Sequence, residues 1–202
     1  AGVKVLDLGE KAFALPAREQ ARHAVSQPWP AAEPWDFDHP RLYELRTEIL
    51  EDGRVADVQR ERFGVRTWGM QGRNFLLNGK PIHPYGDGYA MKGDYFWPVQ
   101  STYSRITRIG FGSRQEQWLP VADEAGHAAT WEIAMSPFGG MGYRLAEDRI
   151  WQNLSTKWAH VIEEDRNHPS LFCYTLGNEP PSKDEGICRR MFEHEEAVGR
   201  LD

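Results

Sequence analysis

Residues 43–63 carry the clearest alternation of apolar and polar positions in the first part of the chain. Every second residue from Tyr43 to Ile49 is apolar or β-branched, and charged residues lie between them. This period of two predicts a β-strand with one buried and one solvated face. Asp52-Gly53 is a hairpin turn signal, so residues 55–63 are predicted to form the return strand.

Shorter β signals flank this hairpin. Residues 3–8 are mostly aliphatic and stop at Gly9, and residues 64–68 follow the hairpin directly, so both segments are predicted as strands. Residues 26–40 contain four prolines and are predicted to be a loop. Residues 1–75 are therefore predicted to be all β, with too few strands to close a seven-stranded sandwich. We interpret them as the second part of such a sandwich.

The pattern changes after the turn signal Asn78-Gly79, where we place the boundary between a domain at 1–75 and one at 76–202. Strand-like and helix-like segments alternate from here on, which is the sequence sign of a parallel α/β sheet. A glycine-rich loop is expected at 86–93. The predicted strands are 82–85, 111–114, 128–134 and 170–176, and the predicted helices are 101–109, 115–125, 144–166 and 183–198.

The most informative stretch, residues 167–180, follows the strongest predicted helix, 144–166. His168-Pro169 ends this helix, because the residue before a proline avoids the helical conformation. The following run, 170–176, is short, apolar and stopped by Gly177, as in a buried parallel strand. Glu179 comes directly after it, in the place where α/β barrels keep their catalytic groups. The apolar residues of the helix recur at helical spacing, at Ile150, Trp151, Leu154, Trp158, Val161 and Ile162.

Two stretches resemble glycoside hydrolase family 2, the β-galactosidase, β-glucuronidase and β-mannosidase group. Asn-His-Pro-Ser at 167–170 and Leu-Gly-Asn-Glu-Pro at 176–180 are similar to the acid/base signature of that family. Residues 40–82 are similar to its passage from an immunoglobulin-like sandwich into a barrel. The resemblance implies a partial immunoglobulin-like β-sandwich followed by the first half of a (β/α)8 TIM barrel, with about four of the eight β/α units.

The resemblance also implies roles for two neighbouring residues. Glu179 would be the general acid/base of a retaining glycosidase, which uses two carboxyl groups. Asn178 would bind the 2-hydroxyl of the sugar. The other carboxylate, the nucleophile, would lie beyond residue 202. Without the flanking motif, Asn-Glu-Pro would instead suggest a helix N-terminus at which an acid is favourable.

Glu132 and Arg114 are further candidates for the sugar pocket. Glu132 lies near the end of the predicted strand 128–134 and resembles the family's strand-end glutamate. A lone acid in an apolar strand must be paired, so a salt bridge to a neighbouring barrel arginine remains an equal alternative to substrate contact. Arg114 resembles the arginine that supports the catalytic carboxylates, although residues 115–117 depart from the family pattern.

Composition excludes several other functions. The chain has 202 residues, 27% of them charged, and a net charge of −6, which disfavours a nucleic-acid partner. No apolar run is long enough for a membrane span.

No metal site or cofactor is expected. His160 and Glu164 are four residues apart, as metal ligands can be, but they lie among charged residues, and no motif indicates a cofactor. Cys173, in the apolar strand, is expected to be an inert buried thiol.

We therefore expect a glycoside hydrolase that acts on terminal β-linked sugars, with a carbohydrate as its partner. The alternative is a non-catalytic or degenerate carbohydrate-binding member of the same fold. A scaffold without a ligand is disfavoured by the intact Leu-Gly-Asn-Glu-Pro motif. The sugar, the oligomeric state and the cellular compartment are left open by the sequence.

Overall fold

A computed structural model describes residues 2–90, 104–109, 115–132, 144–175, 177 and 183–200. The chain forms two compact units, Ala1–Glu33 and Pro34–Asp202. Residues 2–33 contain neither strand nor helix, so the strand predicted at 3–8 is wrong. Val3 and Val5 are 86% and 60% exposed, and no strand within residues 2–33 offers them a hydrogen-bonded partner. Aliphatic side chains alone do not make a strand without such a partner.

The hairpin predicted at 43–63 is confirmed. Strand β1 (Tyr43–Glu51) pairs antiparallel with β2 (Arg54–Phe63), and Asp52 and Gly53 in the turn both have positive φ, 50° and 76°. The buried face expected for β1 is not found, because Leu45 is 37% and Ile49 49% exposed. The hairpin forms a two-stranded sheet of its own, and most of its residues are exposed.

A three-stranded antiparallel sheet follows the hairpin. It consists of β3 (Trp68–Gln71), β4 (Asn74–Leu77) and β5 (Lys80–Ile82). The turn at Asn78-Gly79 joins β4 to β5, with φ of 52° and 76°. The strand predicted at 64–68 therefore starts only at Trp68. The strand predicted at 82–85 is also wrong, because β5 ends at Ile82 and pairs with β4.

A four-stranded parallel sheet makes up the rest of the strands, in the order β6 (Gly86–Ala90), β7 (Ile106–Ile109), β8 (Ala128–Glu132) and β9 (Leu171–Thr175). The glycine-rich segment predicted as a loop thus contains β6. The helix predicted at 101–109 is wrong, because β7 pairs with both β6 and β8. Its residues Ile106, Thr107 and Ile109 are β-branched and suit a strand. The strand predicted at 111–114 lies outside the described residues.

Three helices accompany this sheet. They are α1 (Gln115–Ala125), α2 (Asp148–Asp165) and α3 (Glu185–Val198), which confirms the helices predicted at 115–125, 144–166 and 183–198. All six apolar residues of the predicted stripe on α2 are buried. They pack against the sheet in one hydrophobic core that comprises Ile109, Trp118, Leu119, Ala129, Trp131, Leu145, Ile150, Trp151, Leu154, Trp158, Val161, Ile162, Leu171, Ile187 and Val198.

Trp35 joins the antiparallel β part to the parallel sheet. Its side chain is fully buried, and its indole N–H donates to the carbonyl of Asp123 on α1 at 2.8 Å. Its backbone carbonyl accepts from the Asn78 amide at 2.9 Å. Nearby, Gly126 at the end of α1 lies so close to Phe37 that an added Cβ would be 2.4 Å from the Phe37 carbonyl oxygen. These contacts fix α1 against residues 35–37.

Candidate functional site

The two faces of the parallel sheet have different surroundings. Ile109, Ala129 and Trp131 belong to the core beneath the helices. Side chains alternate along a strand, so Arg108, Thr130 and Glu132 lie on the opposite face. The register pairs Arg108 with Thr130, and Glu132 with Thr175, the last residue of β9. The face away from the helices therefore carries polar groups toward the carboxyl ends of β7, β8 and β9.

Glu132 and Arg108 form an ion pair on this face. The Nε of Arg108 donates to Oε2 of Glu132 at 2.8 Å, and its Nη2 donates to the same oxygen. The Glu132 side chain is 1% exposed and that of Arg108 is 41% exposed. The other oxygen of Glu132, Oε1, is buried and has no hydrogen-bond partner among the residues that the structure describes. A buried carboxylate oxygen in this state is a strong acceptor for a hydroxyl group of a ligand.

The predicted site residues are described to different extents. Glu132 lies at the end of β8 as predicted, and the salt bridge that the sequence left as an alternative is present. Asn178, Glu179 and Arg114 lie outside the described residues. In the sequence, Gly177 is the described residue nearest to the predicted acid/base Glu179. The preceding strand, β9, is confirmed at Leu171–Thr175.

Arg108 is the residue of this face that the sequence analysis missed. The sequence predicts a helix at 101–109, and the arginine it offers for the pocket is Arg114. The signal was present in the run Ile106-Thr107-Arg108-Ile109, where one charge stands between β-branched residues. β-branched residues favour a strand, so the signal lies in the residue types and not in a period.

The structure also describes Cys173 and the pair of His160 and Glu164, which the sequence analysis had considered. Cys173 is exposed and not buried as expected, although partial desolvation raises the pKa of its thiol. Its side chain belongs to the polar face, because Cys173 pairs with Thr130. His160 and Glu164 are exposed on α2 with 3.3 Å between Nε2 and Oε1, and the described residues contain no group of three metal-ligating side chains.

None of the described helices is both long and apolar enough to cross a bilayer.

The candidate site is the polar face at the carboxyl end of the parallel sheet. It holds a carboxylate oriented by an arginine, and its strand β9 precedes Asn178 and Glu179 in the sequence.

Comparisons with known proteins agree with this architecture. The model of "Glycosyl hydrolases family 2" matches residues 3–66. A β-glucuronidase of Streptococcus agalactiae is 27% identical over 178 residues, which cover 75% of this chain and 29% of that protein. A β-galactosidase of Psychromonas ingrahamii is 25% identical over 181 residues, 81% of this chain and 17% of that protein. This chain belongs to glycosyl hydrolase family 2.

Solved structures of the family share the fold. The β-glucuronidase from Ruminococcus gnavus in complex with a C6-substituted uronic isofagomine superposes with a TM-score of 0.71 over 85% of this chain, at 24% identity. The match covers 32% of that structure. A putative β-glucuronidase of Formosa agariphila is 30% identical over 73% of this chain and 16% of its own length. The chain thus spans less than a third of the length of these relatives.

Proposed function

We propose that this chain contributes the acid/base half of a retaining β-glycosidase, with Glu179 as general acid/base. One observation carries the proposal. Strand β9, which immediately precedes the Asn178-Glu179 pair, runs parallel to β8 and ends level with Glu132. Carboxyl groups at the carboxyl ends of parallel strands are the usual location of catalysis in barrels. Family membership supports the same reaction class.

In the proposed reaction, Glu179 donates its proton to the glycosidic oxygen as the bond from the anomeric carbon to that oxygen breaks. A second carboxylate attacks the anomeric carbon and forms a glycosyl-enzyme. Glu179 then takes a proton from the water that hydrolyses this intermediate. Asn178 binds the 2-hydroxyl, where hydrogen bonds strengthen in the transition state. We place the nucleophile on a part of the polypeptide after residue 202.

The Glu132–Arg108 pair would line the sugar pocket. Oε2 of Glu132 is held by Arg108, so Oε1 keeps a fixed direction from which it accepts a sugar hydroxyl. The relatives are named β-glucuronidases and β-galactosidases, so terminal β-glucuronides and β-galactosides are the substrates to test first. In this proposal Arg114 remains a second arginine of the pocket.

The proposed function also assigns the domains. We propose that residues 1–75 are part of an immunoglobulin-like sandwich and that residues 76–202 are the first half of a TIM barrel. The parallel order β6-β7-β8-β9 supports the barrel, and the β1–β2 hairpin supports the sandwich. The apolar residues exposed on β1 fit a strand whose covering layer is contributed by further strands.

The test is Glu179→Gln in the natural polypeptide that carries this chain. We expect kcat/KM for a β-glycoside with a poor leaving group to fall by about 10²- to 10⁴-fold, since general acid catalysis contributes about that much. Activated aryl glycosides need little protonation, so their kcat/KM should fall much less. Glu164→Gln on the exposed face of α2 is the control and should leave both rates unchanged.

Equal losses on both kinds of substrate would contradict the acid role of Glu179. Saturable sugar binding without turnover by the unsubstituted protein would instead identify a degenerate, carbohydrate-binding member of the family. Product stereochemistry, followed by NMR at the anomeric proton, tests the retaining mechanism. Net inversion would contradict it.

A further inference from the structure

The four residues before β9 are held by contacts with β2, α1, Gly64 and β8. Asn167 donates from its side-chain amide to Glu61 on β2. Nδ1 of His168 lies 2.5 Å from Oδ2 of Asp123 on α1. Pro169 is fully buried and packs on the backbone of Gly64, where an added Cβ would lie 2.5 Å from the Pro169 Cγ.

Ser170 completes this turn and begins the pairing of β9. Its backbone N–H donates to Oδ1 of Asp123 at 3.0 Å, and its carbonyl accepts from the N–H of Ala129 on β8 at 2.8 Å. Asp123 is 3% exposed, and its two carboxylate oxygens thus bind two residues of one turn. Buried carboxylates with both oxygens bound are rigid and costly to disturb.

Directly after this turn the pairing of β8 and β9 is irregular. Ala129 pairs with Leu171, but the next residue, Thr130, pairs with Cys173. Phe172 is therefore an extra residue without a partner on β8, as in a β-bulge. Its ring packs edge-on against Trp68 and Phe75 of the three-stranded sheet, with centroid distances of 5.0 Å and 5.1 Å.

A bulge at this position decides where the end of β9 lies. If the extra residue were removed by a slip of one position, residues 173–175 would exchange faces of the sheet. The end of the strand would also move along its axis by about 3.3 Å. A displacement of about 1 Å at a catalytic group is sufficient for about a hundredfold loss of rate. The bulged register is thus a requirement for any group positioned by the end of β9.

We propose that residues 167–172, together with Asp123, act as a register lock that positions Glu179. This inference rests on the proposed function, because Glu179 follows β9 by four residues. The lock is at the amino end of β9, and the chemistry is at the carboxyl end. Asp123 fixes the position of the first residues of β9 along the axis of β8. Phe172 fixes the extra residue of the bulge. Asp123 is a positioning residue and touches no substrate in this scheme.

Asp123→Ala in the natural polypeptide tests the lock. We expect kcat/KM for a β-glycoside with a poor leaving group to fall by about ten- to a hundredfold more than for an activated aryl glycoside, because misplacement of the acid matters only where protonation is needed. Asp123→Asn keeps an acceptor for the Ser170 N–H, so its selective loss should be smaller but above threefold. The neighbouring exposed Glu124 provides the control, Glu124→Gln.

A purely structural role for Asp123 would reduce the amount of folded enzyme and lower both rates by the same factor. Equal losses in Asp123→Ala, or no loss, would overturn the register lock. If Asp123→Ala does not fold, Asp123→Asn decides by the same criterion. Glu179→Gln separates the two proposals. Should it lack leaving-group selectivity, the acid role and the lock both fail, whereas selectivity in Glu179→Gln alone overturns only the lock.

Discussion

At the scale of single residues, the pair of Arg108 and Glu132 combines a structural and a functional requirement. Glu132 is almost completely buried, and a buried carboxylate must be paired. Arg108 binds one oxygen, and within the described part of the chain the other oxygen has no partner. The ion pair thus meets the structural requirement, and the second oxygen is the one that the proposed function assigns to a sugar hydroxyl.

Removal of Arg108 should show what the pair contributes to stability. Arg108→Ala leaves an uncompensated buried carboxylate, which typically costs about 3–5 kcal/mol. Because Arg108 is 41% exposed, we expect the free energy of unfolding to fall by about 2 kcal/mol, measured by urea denaturation.

The double variant Arg108→Ala/Glu132→Gln is the control for this experiment. It removes the buried charge together with its partner and should recover part of the loss. Strictly additive effects of the two substitutions would show that Arg108 and Glu132 are not energetically coupled.

At the scale of elements, the sequence predicted well where local pattern and tertiary context agree. Helix α2 carries a long apolar stripe with helical spacing, and all six stripe residues are buried. Strand β7 has only four residues, too few to show a period. Residues 3–8 failed for the opposite reason, since aliphatic content suggested a strand but pairing with another strand depends on tertiary context.

The same distinction applies to the candidate site. Glu132 was identified by its resemblance to the family's strand-end glutamate, and its ion pair was foreseen as an alternative because a lone acid in an apolar strand must be paired. Arg108 was missed because its strand was predicted as a helix. The contacts of Asp123 with His168 and Ser170 join positions 45 and 47 residues apart. No local pattern encodes such a contact.

The end of α1 offers a test of how closely two elements approach. Gly126 has a φ of 63°, so Gly126→Ala is strained by its backbone and also drives a Cβ into the Phe37 carbonyl. We expect it to lower the free energy of unfolding by about 2–4 kcal/mol.

Gly53→Ala is the matched control, because Gly53 has a φ of 76° and open space around its added Cβ. It should cost about 1–2 kcal/mol, the strain of the left-handed conformation alone. Similar losses in the two variants would show that the approach of Phe37 to Gly126 is not tight.

At the scale of the whole molecule, stability should depend on two buried histidines. His127 is 3% exposed and lies with Nε2 2.8 Å from the Thr107 hydroxyl. Burial, aided by the charge of Arg105, lowers its pKa to about 4. His194 is buried between α2 and α3, with Nδ1 3.3 Å from the Ser155 hydroxyl, and burial lowers its pKa as well. Both therefore favour the neutral imidazole in the folded state.

The direction of the pH dependence follows from proton binding. Between the unfolded pKa of about 6.5 and the folded pKa, the unfolded chain binds more protons than the folded one, so stability rises with pH. For His127 the stability is complete above about pH 6.5 and is lost as the pH falls toward about 4. Each histidine contributes at most about 1.4 kcal/mol per pH unit to this slope.

Urea denaturation at pH 7.0 and 5.0 measures this pH dependence, and we expect a lower free energy of unfolding at pH 5.0. His127→Gln removes one titrating group and should reduce the change in free energy of unfolding between the two pH values. An identical slope in His127→Gln and the unsubstituted protein would mean that His127 is protonated equally in the folded and unfolded states.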